Sequence, residues 1–360
     1  MSPRTLARFE EEFEAFRSQL DAYITRFYAQ EAQRRDYTSS FYRKIHEQMH
    51  EFTTNAGKRL RALLTAISYI GYSDARFGEP QIENIIPAAA SVETLHSFFL
   101  IHDDILDQDE IRRGKPAMHI RMRELLPKGK TSGEDLAIVV GDIAFFHALS
   151  MLLETNETPE RILAAQRALL DAAINTGIGE LYDLLDDNQK LTDVTFENVL
   201  FVMTYKTSRY TIQLPLAMGA ALAGADRTPE DFEEIATLLG SAFQLQDDLL
   251  GIFGDEHKLG KPVKSDIQEG KKTLIMKWLY DECNTKERTF LMNTLGTNLT
   301  DEDFAKIRSM IEEKGIRTRV EKYIEELLTE SRKEVGNLKM NKAGAEYLTQ
   351  IVDALAGREK

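Results

Sequence analysis

Two aspartate-rich segments carry the residues best suited to chemistry. The first runs His102-Asp103-Asp104-Ile105-Leu106-Asp107 and leads into Arg112-Arg113-Gly114-Lys115-Pro116; the second runs Gln246-Asp247-Asp248-Leu249-Leu250 and leads to Asp255 and Gly260-Lys261-Pro262. Carboxylate clusters beside cationic, glycine-containing loops point to divalent metal ions and phosphorylated ligands. Asp103 and Asp107 stand at i and i+4, so on a helix they share a face and repel by roughly 0.2–0.5 kcal/mol. The run Leu95 to Leu106 is otherwise apolar, which places those charges on a helix expected to be largely buried, where a carboxylate lacking a positive partner is costly. No cysteine or group of histidines stands near them. Such a set favours hard, oxygen-loving cations, and Mg²⁺ typically takes one or two carboxylates and completes its shell with substrate phosphates. A lone Asp-Asp-x-x-Asp is usually a solvated helix face or a cap. Two copies, each in an apolar helical run and each followed by basic residues on a glycine-containing loop, need two separate coincidences to be incidental.

Helices must position these residues. The apolar pattern has helical periodicity nearly everywhere, with no sustained alternation of period two. It predicts helices at 4–34, 38–54, 58–71, 81–107, 134–154, 158–187, 195–224, 229–253, 271–283, 285–295, 301–335 and 342–356. Breaks fall at Gly71-Tyr72-Ser73-Asp74, Pro127-Lys128-Gly129-Lys130, Gly224-Ala225-Asp226 and between Gly254 and Gly270. With 360 residues, 42% hydrophobic content and only 21 Gly and 9 Pro, the chain has length for one large or two ordinary domains. No stretch has the composition of a flexible linker, which favours one all-α domain over 1–360. Pro215 sits inside an apolar helical stretch, just after Lys206-Thr207-Ser208-Arg209, and should kink it; the freed carbonyls could face a developing positive charge.

Composition narrows the partners. A net charge of −14 argues against nucleic acid as the main partner, since phosphate-backbone binding needs a broad basic surface. Cys283 is the sole cysteine, which excludes an intramolecular disulfide and a thiolate zinc cage and fits a reducing, cytoplasmic setting. The N-terminal stretch, with Arg4 and Glu10, Glu11, Glu12 and Glu14, has no apolar signal-peptide core. The longest apolar run, Leu136 to Leu153, contains Asp142 and His147 and reads as a buried helix rather than a membrane span.

Five separated motifs, in order, resemble the trans-isoprenyl diphosphate synthases, the polyprenyl synthetase family that includes farnesyl and geranylgeranyl diphosphate synthases. They are Gly57-Lys58-Arg59-Leu60-Arg61; Asp103-Asp104-Ile105-Leu106-Asp107 with Arg112-Arg113-Gly114; Gly141-Asp142; Lys206-Thr207; and Phe243-Gln244-Leu245-Gln246-Asp247-Asp248 with Gly254-Asp255 and Gly260-Lys261. The motif-bearing core covers about 40–285. The resemblance implies a helical bundle or barrel around a deep central cavity, usually as a homodimer. It implies three Mg²⁺ ions held by Asp103, Asp107 and Asp247, with Asp104, Asp248 and Asp255 as further ligands or supporting groups. Arg112, Lys206 and Lys261 would grip the allylic diphosphate, while Lys58, Arg61, His96 and Arg113 would hold isopentenyl diphosphate. Arg offers a planar, multidentate donor set and Lys a compact point charge, so the division suits both types. Adjacent Arg112 and Arg113 could point to different diphosphates. His96 lies seven residues before Asp103 and hence on roughly the same helix face.

The implied reaction is ionisation, condensation and elimination. Metal ions and cationic side chains stabilise charge on the leaving diphosphate, the double bond of isopentenyl diphosphate attacks the allylic cation, and the released diphosphate removes the proton. The Lys206 carbonyl, Thr207 hydroxyl and Gln244 amide would stabilise the cation. Allylic partners would be dimethylallyl, geranyl or farnesyl diphosphate. Phe98 and Phe99 precede Asp103 by five and four residues, about one turn or 5.4 Å down the helix, where an aromatic can wall off the cavity. Paired aromatics there resemble farnesyl synthases and suggest a C15 product. Gly251-Ile252-Phe253-Gly254-Asp255-Glu256 and Gly260-Lys261-Pro262-Val263-Lys264-Ser265-Asp266 resemble geranylgeranyl synthases instead, which keeps C20 open.

Two positions depart from the family pattern. Gly251 stands where many second motifs carry a last aspartate, and Ala62 where a proline usually follows Gly-Lys-Arg-x-Arg; the latter is expected to affect only local backbone rigidity. A terpene cyclase would normally pair the aspartate motif with an Asn-Asp-x-x-Ser-x-x-x-Glu site, absent here. An inactive regulatory subunit would usually lose aspartates or diphosphate-binding cations, and this chain retains both.

Overall fold

A computed structural model describes residues 3–35, 39–55, 57–126, 129–254 and 263–356. Asp255 and Lys261 lie outside the described residues. The chain is all-α, as the periodicity predicts. In order it forms α1 (Pro3–Arg34), α2 (Ser40–Thr54), α3 (Leu60–Gly71), α4 (Pro80–Leu106), a short antiparallel hairpin of β1 (Ile111–Arg112) and β2 (Lys115–Pro116), α5 (Met118–Leu125), α6 (Gly133–Leu153) and α7 (Pro159–Asp187). There follow α8 (Phe196–Val202), a π-helix (Met203–Gln213), α9 (Leu214–Ala223), a 3₁₀ turn (Pro229–Phe232) and α10 (Glu233–Phe253). Beyond the second aspartate segment come α11 (Ser265–Glu269), α12 (Leu274–Glu282), α13 (Thr285–Thr294), α14 (Asp301–Glu313), α15 (Ile316–Asn337) and α16 (Lys342–Ala356).

The backbone divides into two compact units. The first comprises Met1–Leu169, Pro215–Thr228 and Met340–Tyr347; the second comprises Leu170–Leu214, Pro229–Lys339 and Leu348–Lys360. The core of the first unit is α4, apolar on every side, with Ile85, Ala88, Ala89, Ala90, Val92 and Leu95 wholly inaccessible. A helix that is hydrophobic all round must be enclosed by other elements, and α4 lies against α6, α3, α1 and α5. Gly141 permits the α4–α6 approach: a Cβ there would lie 2.3 Å from His102 Cε1. In the second unit, α10 packs against the π-helix and α15, whose Val320, Ile324, Leu327 and Leu328 form a buried stripe.

The helix predicted at 134–154 exists but is not the buried helix its composition suggests. Val139, Phe146 and Leu153 are 53%, 62% and 63% exposed. One side of α6 is occupied by α4, and the other is an apolar face open in the single chain. By length and composition α4 and α6 could each cross a membrane, but α4's apolar window is mostly enclosed by protein, as in a core helix.

Other departures have local causes. The predicted 195–224 helix is α8, an eleven-residue π-helix and α9 in succession. The Leu214 N–H donates to the Arg209 carbonyl, a five-residue step, so the expected distortion at Pro215 takes the form of a wider turn upstream of the ring. The predicted 301–335 helix is cut at Gly315, whose φ of +70° is a left-handed stop between α14 and α15. Helices α5 and α11 and the hairpin were not foreseen; short polar elements leave little periodic signal.

Candidate active site

In the first unit, the aspartates occupy the C-terminal end of α4. Asp103 and Asp107 are half-buried, whereas Asp104 is fully enclosed. The hairpin that follows brings Arg112 back onto them. Its Nε donates to Asp104 Oδ1 at 2.5 Å, and its Nη2 reaches Asp103 Oδ2 and Asp109 Oδ2 at 3.2 Å each. Burial pushes the Asp104 carboxyl up to about 7, against the pull of Arg112. The other Asp104 oxygen, Oδ2, is buried without a hydrogen-bond partner among the described residues. Burial disfavours the Arg112 charge, but Asp104 and Asp103 more than restore it and hold its pKa high.

Arg113 and Gly114 have φ of +52° and +71°, the double positive φ of a two-residue type I′ hairpin. A non-glycine residue in this conformation is strained by order 1 kcal/mol or more and persists only where its surroundings hold it. The turn sends the adjacent arginines to different neighbours. Arg113 Nη1 donates to the Asn55 carbonyl at 3.1 Å, and Nη2 lies 3.4 Å from His96 Nε2. The structure therefore brings His96 and Arg113 together. Burial first, then the charges of Arg61, Arg113, Arg112 and Arg59, hold the imidazole well below its usual pKa, so it is neutral and able to accept from Arg113.

The Gly-Lys-Arg-x-Arg segment enters α3 with Arg59 at φ +52°. Arg59 is buried and meets Asp21 at 2.8 Å and Glu93 at 3.6 Å. Lys58 is exposed and Arg61 is buried in the first turn of α3. At Ala62 the N–H donates to Glu93 Oε1 at 3.1 Å. Proline has no such donor, so the Ala62 departure adds a hydrogen bond and does more than relax the backbone. Glu93 escaped sequence reasoning, although a lone acid in the apolar run from Ala88 to Leu95 was a usable signal.

Phe98 and Phe99 touch, with ring centroids 5.0 Å apart in a tilted arrangement. Phe98 stacks edge-on with His102 at 4.7 Å and packs on Phe145 of α6 at 5.3 Å. Phe99 is the residue one turn below Asp103.

In the second unit, Lys206 and Thr207 lie in the π-helix. Lys206 Nζ is held by Asp183 Oδ2 at 2.7 Å and Glu180 Oε2 at 2.9 Å, both on α7. These two acids were also missed; their i, i+3 spacing among Leu181, Tyr182, Leu184 and Leu185 marks a shared face. The Thr207 hydroxyl donates to Gln244 Oε1 at 2.9 Å, and Gln244 Nε2 donates to Asp248 Oδ1 at 2.9 Å. Asp248 is buried, whereas Asp247 is exposed on the adjacent face of α10.

Among the described residues, no three His, Cys, Asp or Glu side chains form a closed metal cage. The donors are carboxylate oxygens displayed in ones and twos, which suits a Mg²⁺ ion whose remaining positions go to water and phosphate. The donor chemistry therefore fits.

Residues 42–313 match the model of the polyprenyl synthetase family. The geranylfarnesyl diphosphate synthase of Aeropyrum pernix is 34% identical over 265 residues, covering 72% of this chain and 76% of that protein. The (2E,6E)-farnesyl diphosphate synthase of Mycobacterium bovis is 32% identical over 263 residues, covering 72% and 67%. The crystal structure of Corynebacterium glutamicum geranylgeranyl pyrophosphate synthase, complexed with isoprenyl diphosphate and magnesium, superposes with a TM-score of 0.84 at 27% identity, covering 97% of this chain and 99% of that one.

Proposed function

The chain belongs to the polyprenyl synthetase family, and on that premise we propose that it joins isopentenyl diphosphate to an allylic diphosphate, with farnesyl diphosphate (C15) as the main product. The observation that carries this reading is the paired arginines of the hairpin. Arg112 is bound to the aspartates and Arg113 to His96, which suits two anionic substrates held by one turn. Relatives acting as farnesyl and geranylfarnesyl synthases support the reaction class.

In this reading Asp103, Asp107 and Asp247 are Mg²⁺ ligands, three ions per site, as the family resemblance implies. Bound Mg²⁺ would supply Lewis-acid stabilisation of charge on the departing diphosphate. The buried acids do different work: Asp104 fixes Arg112, and Asp248 fixes Gln244. Arg112 and Lys206 grip the allylic diphosphate, and Lys58, Arg61, His96 and Arg113 grip isopentenyl diphosphate. Lys261 and Asp255 keep the roles expected of them as further diphosphate and metal contacts. Glu180 and Asp183 hold the Lys206 ammonium in place on the π-helix. Thr207 and Gln244 offer oxygen dipoles to the allylic cation, and the π-helix supplies carbonyls outside the ordinary helical pattern.

Phe99 below Asp103 favours the C15 stop. The geranylgeranyl-like second motif, with Gly251, favours C20 as the second reading. The exposed α6 face carrying Val139, Phe146 and Leu153 supports a homodimer that covers it, and the single buried Cys283 accords with a cytoplasmic protein.

The deciding experiment is a Mg²⁺-dependent assay with labelled isopentenyl diphosphate and separate C5, C10 and C15 starters. C15 from the C5 and C10 starters is expected. C20 would show that Phe99 does not close the cavity, and no condensation with any starter would overturn the synthase reading.

A further inference from the structure

Arg59 stands between Lys58 and Arg61, two cations of the Gly-Lys-Arg-x-Arg segment, yet its own guanidinium is engaged elsewhere. It is 4% exposed and meets three helices of the first unit. Its Nε donates to Asp21 Oδ1 of α1 at 3.0 Å, and Nη2 lies 2.8 Å from the same oxygen. Its Nη1 donates to the Thr53 carbonyl in the last turn of α2 at 2.9 Å and lies 3.6 Å from Glu93 Oε2 of α4. A guanidinium buried this deeply needs carboxylates beside it. The backbone of Arg59 is equally committed. Its φ of +52° persists only where the surroundings impose it, and its carbonyl accepts from Leu63 N at 3.0 Å to open the hydrogen-bond ladder of α3.

We propose that Asp21 of α1 is a positioning residue for isopentenyl diphosphate: by anchoring Arg59 in its left-handed conformation, it sets the places of Lys58 and Arg61 on either side. The inference rests on the prenyltransferase reading above. A residue at φ +52° turns the chain sharply, so the directions in which Lys58 and Arg61 leave the backbone depend on that one dihedral. Glu93 secures the same turn from α4, since its Oε1 accepts from the Ala62 N–H at 3.1 Å while its Oε2 faces Arg59. Charge points the same way. Burial is the largest influence lowering the Arg113 pKa; Glu93 raises it, and Arg59, Arg61 and Arg112 lower it. Guanidinium groups therefore crowd this part of the unit, and Asp21 offsets one of them at the strained residue itself. Asp21 belongs to α1, which precedes the 42–313 family match, so the first helix gains a part in substrate binding that the motifs do not give it.

The test compares wild type with Asp21→Asn, Arg59→Gly, the double variant and Tyr23→Phe. The Asp21 side chain is 41% exposed, so asparagine there removes the charge with little change in packing. Glycine adopts a positive φ without strain, so Arg59→Gly removes the tether and keeps the turn allowed. Tyr23→Phe deletes a different α1 contact, the 2.6 Å hydrogen bond to Glu154 Oε2, and controls for general loosening of the helix. Isopentenyl diphosphate is titrated by calorimetry into each protein held with Mg²⁺ and dimethylallyl thiolodiphosphate, which resists ionisation; steady-state kinetics and thermal unfolding are measured alongside. Asp21→Asn is expected to raise Kd and KM for isopentenyl diphosphate by about 10-fold, in the range of coupling within one ion-pair network, with kcat and the allylic KM nearly constant. Arg59→Gly should weaken binding at least as much, and adding Asp21→Asn to it should change nothing further, because Asp21 acts through Arg59. Tyr23→Phe should lower the melting temperature and leave Kd unaltered. Unaltered Kd in Asp21→Asn, with wild type binding normally, would overturn the role of Asp21 and leave the synthase reading standing. Additive losses in the double variant, or an equal loss in Tyr23→Phe, would reduce Asp21 to a structural residue and also overturn it. Wild type that neither binds nor condenses isopentenyl diphosphate would remove the prenyltransferase reading and this inference together.

Discussion

The Thr207 hydroxyl donates to the Gln244 side-chain oxygen at 2.9 Å, while the Gln244 nitrogen is tied to Asp248. The amide is thereby held in one orientation, with its oxygen toward Thr207. If these oxygens stabilise the allylic cation, Gln244→Leu should lower kcat by about 100-fold, the scale of losing one preorganised electrostatic group, and leave KM for both diphosphates nearly constant. Steady-state kinetics decides it: a raised KM with unchanged kcat would assign Gln244 to substrate binding instead.

Phe98 and Phe99 should respond differently to truncation. Phe99→Ala should shift the products toward longer chains, visible on chromatography of the dephosphorylated alcohols. Phe98→Ala removes contacts with Phe145 and His102 and should cost stability, at or below the low end of the roughly 3–5 kcal/mol typical of buried Phe→Ala because Phe98 is half-exposed. Denaturant unfolding and product sizing separate the two effects, and an unchanged spectrum in Phe99→Ala would end its role as a floor.

Gly179 on α7 lies against the π-helix: a Cβ there would meet Lys206 N at 2.3 Å and the Tyr205 carbonyl carbon at 2.7 Å. Backbone cannot swing aside as a side chain does. Gly179→Ala should therefore destabilise by roughly 1–3 kcal/mol and displace Lys206, lowering activity as well. Gly177, two residues earlier with nothing among the described residues within 4 Å of its Cβ position, is the control; Gly177→Ala should be stabilising by about 0.4–1 kcal/mol. Equal melting temperatures for the two variants would contradict the packing argument.

The first unit should lose stability in mild acid through His147. Burial lowers its pKa from 6.5 to about 4, opposed by Glu31, and its Nδ1 has no hydrogen-bond partner among the described residues. The unfolded chain therefore binds this proton more readily between pH 6.5 and 4. Stability from the neutral ring is complete above about pH 6.5 and falls as pH drops toward 4, by about 2 kcal/mol at pH 5. His46, also lowered mainly by burial, acts in the same direction. Urea unfolding at pH 7.5 and 5 should show the loss, and His147→Gln should flatten it; an equal slope in that variant would place the sensitivity elsewhere.

Much of the fold was legible because its helices are long and strongly periodic. The predicted 81–107 and the observed Pro80–Leu106 differ by one residue at each end, since Glu79-Pro80 and the polar turn after Leu106 are local signals. The π-helix was less legible: Pro215 announced a distortion, but not that the register would widen over Met203–Gln213. Gly315 was overlooked because the apolar pattern continues across it, although its positive φ ends α14.

The sequence by itself determined the residue types of the site, the order of its motifs and the all-α class, because carboxylates, guanidinium groups and helical periodicity are local properties of the chain. Tertiary structure decided which of those residues act on one another. It turned Asp104 inward to Arg112, sent Arg113 to His96, gave Lys206 its two acids, bound Phe98 to Phe145 and brought Asp21 to Arg59. Each of these pairings depends on the approach of separate backbone segments within a few ångströms, a distance set by packing and by where glycine removes a side chain.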